Sequence, residues 1–393
     1  MKKTWSKAAG LLISALFALG LLLLPNLFLQ PFPLNINDKY LAWIVSPGRF
    51  FVETPGGLLR TNPDLVGLDN GEDSFSKVKA PGVFRIFCVG GSTTRGWPFQ
   101  HSLSYPLLMS RYLASALPGR KVEVINAGFL ASDSYSDLPL VRELAAYSPD
   151  LLLVYEGRND AWNFTLHSGL LCVALKAHVW LARNLRLYGL LLKLVPRGGA
   201  FEHAGQIRKL AFAASGVRNE YGGAFKENIE KIGVAAGKCP VLFLTQVIYP
   251  GVPGFEQEAV RSNGHLRELA AEKKIKLLDI DKVFAGFPQP LDVLIPPPLV
   301  HPNVGGYCLL AYTVSGSLKR EGLIFPARDW RKLEPWPVCR DSVSSSRAAL
   351  GDTLLRLADL FGQFGDASAA ARYRAEAENQ TLYSPFSRVR LPF

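Results

Sequence analysis

From Val83 onward the chain alternates short apolar runs with segments whose apolar residues recur every three and four positions. "VFRIFCV", "KVEVINAG", "DLLLVYEG", "PVLFLTQV" and "IKLLDI" read as strands. "YPLLMSRYLASAL", "YSDLPLVRELAAY", "FKENIEKIGVAA" and "NGHLRELAAEK" read as the helices between them. Strands that are apolar throughout and separated by helices fit a parallel sheet covered on both faces. Ligands of such sheets bind at the carboxyl ends of the strands. The loops at those ends are therefore where chemistry is expected.

The two ends of the chain read differently. Lys2, Lys3 and Lys7 precede a run from Ala8 to Leu29 that carries no charge. About twenty apolar residues span a hydrocarbon core, and a positive flank stays cytoplasmic. Residues 1–30 are thus expected to form a single-pass N-terminal transmembrane helix with the remainder periplasmic or extracellular. A cleaved signal peptide is the alternative, although the apolar run is long for one and no clean small-residue site follows. Residues 31–81, rich in Pro, Asn, Asp and Gly, read as a spacer. Residues 326–393 read as a linker and a helical hairpin turning at Gly365, similar to one tetratricopeptide unit. A single unit cannot bury its own face, so packing on the main domain is expected ahead of a groove for a protein partner.

Composition narrows the partners. The 393 residues carry a formal net charge of +11, which suits a membrane surface or anionic substrates. The basic residues are scattered rather than clustered, which argues against nucleic acid. Five cysteines lie far apart with no CxxC pair. That spacing argues against a zinc site and against a disulfide framework, and the odd count leaves at least one thiol free.

Four loops carry the chemistry. "GGSTTRG", after the first strand, has neither the Lys-Ser/Thr pair nor the glycine spacing of a phosphate loop. It reads instead as a nucleophile turn, with Ser92 where strand becomes helix; a plain helix cap is the bland reading. "INAGF" places Gly128 after the second strand, where a backbone N–H can face a developing oxyanion. "EGRND" places Asn159 after the third, with a side-chain amide for the same purpose. "LVHPNVGGY" places His301, a base, ahead of a helix starting near Val304.

With these four motifs in order, the chain from about Gly82 to Leu323 resembles the SGNH/GDSL hydrolase family, and "RTNP" at Arg60 resembles its anchored, exported branch. The resemblance implies a flavodoxin-like three-layer α/β/α sandwich with a parallel sheet, occupying residues 82–325. It implies a serine ester hydrolase of carboxylesterase, lipase or carbohydrate O-deacetylase type, working through an acyl-enzyme on a lipid or acylated glycan ester. By that resemblance Ser92 is the nucleophile and His301 the general base. The N–H groups of Ser92 and Gly128 and the Asn159 amide form the oxyanion hole. No cofactor is implied, and no His/Asp/Glu cluster suggests a metal. An O-acyltransferase on envelope polysaccharide and a non-catalytic scaffold of the same fold are the alternatives.

Two positions depart from the family. Gly91 stands where an Asp is common. The acid expected three residues before the histidine is replaced by Pro298, inside "IPPPLVH". A carbonyl of Pro298 or of a neighbour is then the expected partner of the imidazole, with Asp292, the nearest acid upstream, as a possible third member. Asp160 is expected to organise its loop, and Asp279 and Asp281 to cap or solvate a strand end. After Asp160, "LLCVALKAHVWLARNLRLYGLLLKLV" is apolar but interrupted by charge. As a helix it would place Lys176, Arg183, Arg186 and Lys193 within an arc of about 100°. Solvated charges on a core-facing helix are the bland reading, and an interfacial helix or lid the functional one.

Overall fold

The computed structural model describes residues 42–66, 73–167, 169–188, 220–249, 255–287, 289–297, 299–333, 335–344 and 346–379. The apolar run Ala8–Leu29, Lys193 and Pro298 lie outside them. No described helix is long and apolar enough to cross a membrane. The chain divides into two compact units, residues 47–163 with 217–393, and residues 1–46 with 164–216.

The larger unit is built on a five-stranded sheet of β4 (Val83–Gly90), β5 (Lys121–Gly128), β6 (Leu151–Tyr155), β7 (Val241–Leu244) and β8 (Lys276–Leu278). All four pairings are parallel, and the order is β5-β4-β6-β7-β8. Counting these five strands alone, that is the 2-1-3-4-5 order of flavodoxin-like sheets, whose switch point lies between the first and third strands. Strand periodicity splits the core in two. Ile86, Cys88, Leu151 and Leu153 join one apolar cluster with α2 (Tyr105–Ala116) and α7 (Val304–Arg320). The intervening Phe87, Val89, Leu152 and Val154 are equally buried and turn to the opposite face. There α3 (Ser134–Ala145), α5 (Glu220–Ala235) and α6 (Phe255–Ala271) pack on one another. The result is the expected three-layer sandwich.

The segment read as a spacer has structure of its own. β1 (Phe51–Glu53), β2 (Leu58–Thr61) and β3 (Ser74–Ser76) form an antiparallel sheet. Its alternation is too short to register as a period, three or four residues per strand, but Phe51 and Phe75 pack edge-on with each other and against Phe87 and Tyr147. The Glu143 carboxylate accepts the N–H groups of Phe50 and Phe51 at 2.8 and 2.9 Å.

At the C-terminus α8 (Pro335–Ser344) leads into the hairpin α9 (Arg347–Gln363) and α10 (Ala367–Asn379). Leu354, Leu357, Phe361 and Tyr373 of the hairpin belong to the same apolar cluster as the sheet. Cys308 of α7 and Cys339 of α8 form a disulfide with Cα atoms 5.9 Å apart. The cysteine spacing gave no sign of this pair because its partners meet only through helix packing.

In the smaller unit, α4 (Gly169–Asn184) buries Cys172, Val179 and Ala182. Its outward face is less polar than the sequence implied. Besides Lys176 and Arg183 it exposes Leu170, Val173 and Trp180.

Candidate active site

Three loops at the carboxyl edge of the sheet converge at the switch point. β4 ends at Gly90, whose φ of 148° belongs to the region that favours glycine. A Cβ there would stand 2.3 Å from the Tyr155 carbonyl oxygen, so a side chain is excluded twice over. The chain then turns directly into the short helix α1 (Ser92–Arg95). Its cap position is Gly91, and Ser92 is its first residue. The Ser92 side chain does not cap the helix. Its Oγ lies 2.7 Å from His301 Nε2.

The histidine is held by its own loop. Ile295 N–H donates to the His301 carbonyl at 2.7 Å, and Asn303 N–H donates to the Val293 carbonyl at 3.0 Å. The Asn303 side chain accepts from Gly306 N–H at 2.9 Å and so caps α7. His301 Nδ1 meets the carbonyl oxygen of Leu299. A carbonyl only accepts, so the proton sits on Nδ1 and Nε2 keeps its lone pair for the Ser92 hydroxyl. Asp292 is not at that nitrogen. It ends a 3₁₀ turn, Pro290–Asp292, and its charge acts on Arg372. The imidazole edge packs on Trp97 with ring centroids 4.6 Å apart, and Tyr307 Oη donates to the Trp97 carbonyl at 2.7 Å.

Arg158, unassigned inside "EGRND", bridges two loops. Its guanidinium donates to the carbonyls of Val300, at 3.3 Å, and Val247. Loss of water around the imidazole and then the Arg158 cation push His301 down to about 3, against which the Leu299 carbonyl pulls upward. The ring is neutral at physiological pH. In the sequence Arg158 stands between Gly157 and Asn159, and its place next to Asn159 in a strand-end loop was the only available signal for this role.

Asn159 is the last residue of the loop after β6, directly before a short helix at Asp160–Asn163. Its Nδ2 donates to the Ser132 carbonyl at 2.8 Å. The same Nδ2 would stand 2.9 Å from a Cβ on Gly91. Glycine at this position is therefore what allows the Asn159 amide to sit beside the serine turn.

Gly128 requires a correction. Its N–H donates to Asn126 Oδ1 at 2.9 Å, and a Cβ there would meet Arg95 N at 2.6 Å. The residue packs under α1 and its donor is already committed. The part of this loop that reaches Asn159 lies three to four residues further on. Ser132 and Ala131 offer their carbonyls to Asn159 and Asn163. Ala131 has a φ of 61°. The "NAG" motif pointed to the right loop, but its glycine is there for close packing. Asp279 and Asp281 bind Arg267 at 2.8 and 2.7 Å. Among the described residues no group of His, Cys, Asp and Glu could hold a metal ion.

A serine hydroxyl joined to a neutral histidine at the carboxyl edge of a parallel sheet is the arrangement of α/β hydrolases that cleave esters. The chain belongs to the GDSL-like Lipase/Acylhydrolase family, whose profile matches residues 88–309. It is a hydrolase acting on ester bonds. Similar solved structures include a lipase/acylhydrolase from Enterococcus faecalis, 18% identical over 64% of this chain and 99% of that one, with a TM-score of 0.41. An acetylxylan esterase, Axe2, from Geobacillus stearothermophilus is 15% identical over 61% and 94%, with a TM-score of 0.38. A G-D-S-L family lipolytic protein from Veillonella parvula is 17% identical over 59% and 96%, with a TM-score of 0.37. No curated protein matches the chain.

Proposed function

We propose that the protein cleaves its ester through an acyl-enzyme on Ser92, with His301 as the base. The 2.7 Å contact between Ser92 Oγ and His301 Nε2 carries this reading, because the Leu299 carbonyl leaves Nε2 as the free acceptor. His301 takes the hydroxyl proton as Ser92 attacks the carbonyl, then returns it to the leaving alcohol. Water, deprotonated by the same nitrogen, resolves the acyl-enzyme. The Asn159 amide and the Ser92 N–H donate to the oxyanion. In the loop after β5, the N–H groups of Phe129 and Ser132 are bonded to Gly90 and Phe129, and that of Gly128 to Asn126. Leu130 and Ala131 therefore supply the third donor in this reading, in place of Gly128.

The substrate is a lipid or acylated-glycan ester of the cell envelope, reached by a catalytic domain anchored through Ala8–Leu29 on the outer side of the membrane. The uncharged run supports the anchor, and the Cys308–Cys339 disulfide supports an oxidising compartment. Fluorophosphonate labelling of the full chain, with Ser92→Ala as control, tests the nucleophile. Labelling that persists in the variant refutes it. Protease added to intact spheroplasts tests the placement, and full protection of the domain refutes that part.

A further inference from the structure

Beside the serine turn, four carboxyl groups are removed from water. Asp133 and Asp137 come from the start of α3, Glu156 and Asp160 from the loop after β6, and none is more than 3% exposed. Two of them are held by neighbours. Asp133 Oδ1 caps α3 through Ser136 N–H at 2.9 Å, and its Oδ2 accepts from Asn163 Nδ2 at 2.6 Å. Asp160 Oδ1 accepts from Ser134 N–H at 3.1 Å and from the Ser134 hydroxyl.

The other two face each other. Asp137 Oδ1 accepts from the Ser132 hydroxyl at 2.6 Å, and Glu156 Oε1 accepts from Gly157 N–H at 3.2 Å. Asp137 Oδ2 and Glu156 Oε2 have no N–H or O–H donor, while the two side chains are within hydrogen-bonding reach of one another. Two carboxylates cannot satisfy each other. A carboxylic acid and a carboxylate can.

This pair sits under the candidate oxyanion donor. Asp137 fixes Ser132 by its hydroxyl, and the Ser132 carbonyl receives Asn159 Nδ2 at 2.8 Å. Glu156 Oε2 would lie 3.7 Å from a Cβ on Gly91, on the turn that carries Ser92. We propose that Glu156 and Asp137 share one proton, and that this singly charged pair is the positioning device that aims the Asn159 amide through Ser132.

The proposal rests on Asn159 as an oxyanion donor. Protonated Glu156 donates to Asp137 Oδ2, and ionised Asp137 accepts from Ser132 Oγ. Burial, with Asp133 as a neighbouring charge, pushes Asp137 up to about 7, and burial with Asp137, Asp160 and Asp133 holds Glu156 well above the usual carboxylate range. Loss of the shared proton in alkali leaves two like charges in contact, so Asp137 moves and the hold on Ser132 loosens. The groups whose charge or titration acts on the pair are Asp133, Asp160, which burial pushes up to about 8, and Tyr155, whose hydroxyl burial pushes up with a smaller contribution from Glu156.

The test uses the full chain in detergent and two readouts. The first is kcat on a chromogenic acetyl ester from pH 6 to pH 10. Wild type should lose activity on the alkaline side by about 10-fold or more, within the 10²–10³ that removal of one oxyanion donor costs. Glu156→Gln, whose amide donates to Asp137 without a proton to lose, should abolish that limb. Asp160→Asn should keep it, and Glu156→Ala should lower kcat at every pH with little change in KM. The second is the side-chain amide signal of 15N-Asn159, assigned by its loss in Asn159→Ala. It should shift with pH in wild type and stay fixed in Glu156→Gln. An Asn159 signal that ignores pH, or titrates identically in Glu156→Gln, overturns the proposal whether or not the ester is cleaved. Conversely, a coupled Asn159 signal with no Ser92-dependent hydrolysis overturns the catalytic reading and leaves the shared proton standing.

Discussion

The carbonyl oxygen of Leu299 accepts the Nδ1–H of His301, two residues along the same loop, and Val300 between them has a φ of 40°. A β-branched residue in the left-handed region is strained, and such strain persists where the surroundings enforce it. Here Arg158 holds the Val300 carbonyl from the other side. The carbonyl fixes the tautomer but offers no full negative charge to the imidazolium formed in the transition state. Losing the carboxylate in a Ser-His-Asp system costs about 10⁴ in kcat, part of it through the wrong tautomer. A slow enzyme is therefore expected. Ser92→Ala and His301→Ala should each remove turnover of a chromogenic acetyl ester, while Asp292→Asn leaves it unchanged. Equal collapse in Asp292→Asn and His301→Ala would restore Asp292 as the third member.

Arg158 should contribute to the acid side of the pH profile, second to the burial of the imidazole. The folded His301 sits at about 3, below the 6.5 of an unperturbed imidazole. The unfolded chain thus binds the proton first on acidification. Stability from this site is complete above pH 6.5 and is lost as pH falls toward 3. Arg158→Met removes the cation while the burial of the ring stays, so it should raise His301 only part of the way back toward the ordinary imidazole value. The acid limb of kcat/KM should then lie at higher pH in the variant than in wild type. Coincident acid limbs in the two proteins would show that Arg158 does not act on the imidazole.

Gly91→Ala offers a test of Asn159 that leaves its side chain in place. The added Cβ would stand 2.9 Å from Nδ2, closer than van der Waals contact allows, and the amide is already tied to Ser132. Something must move, and the free end of Asn159 is the lightest group. Asn159→Ala should lower kcat by about 10²–10³, and Gly91→Ala should approach that loss with an unchanged melting temperature. Full activity in Gly91→Ala would mean that the amide has room to step aside and still donate.

Much of this was legible in the sequence, for physical reasons. Strand and helix periods are local, so the sheet, its order of elements and the three converging loops could be read directly. Ser92, Asn159 and His301 stand out because each places a reactive or donor side chain in a loop shortly after an apolar run. What was missed depends on backbone direction or on distant packing. Whether a glycine N–H points into a cavity or at its own Asn126 is a matter of strand geometry. Which of several carbonyls meets Nδ1 depends on the φ of Val300. Asp137 and Glu156 are nineteen residues apart on different elements, and only parallel pairing of β4 with β5 and β6 brings their loops together.

The Cys308–Cys339 pair yields the last expectation. It joins α7, which begins three residues after His301, to α8 and the hairpin beyond it. Both cysteines are buried, at 3% and 6% exposure, so the bond is structural rather than a target for exchange. Closing a loop of this size stabilises a fold by about 2–4 kcal/mol, mainly through the unfolded state. Cys339→Ala should therefore lower the melting temperature by several degrees, at about 2–4 °C per kcal/mol for a domain of this size. Hydrolysis at 25 °C should persist, because the histidine loop is held by Val293, Ile295 and Arg158 rather than by the disulfide. Thiol titration of the denatured, unreduced protein decides whether the bond forms. Three reactive thiols, from Cys88, Cys172 and Cys239, are expected. Five would show that Cys308 and Cys339 remain reduced in the cell, and would remove the disulfide as support for an exported domain.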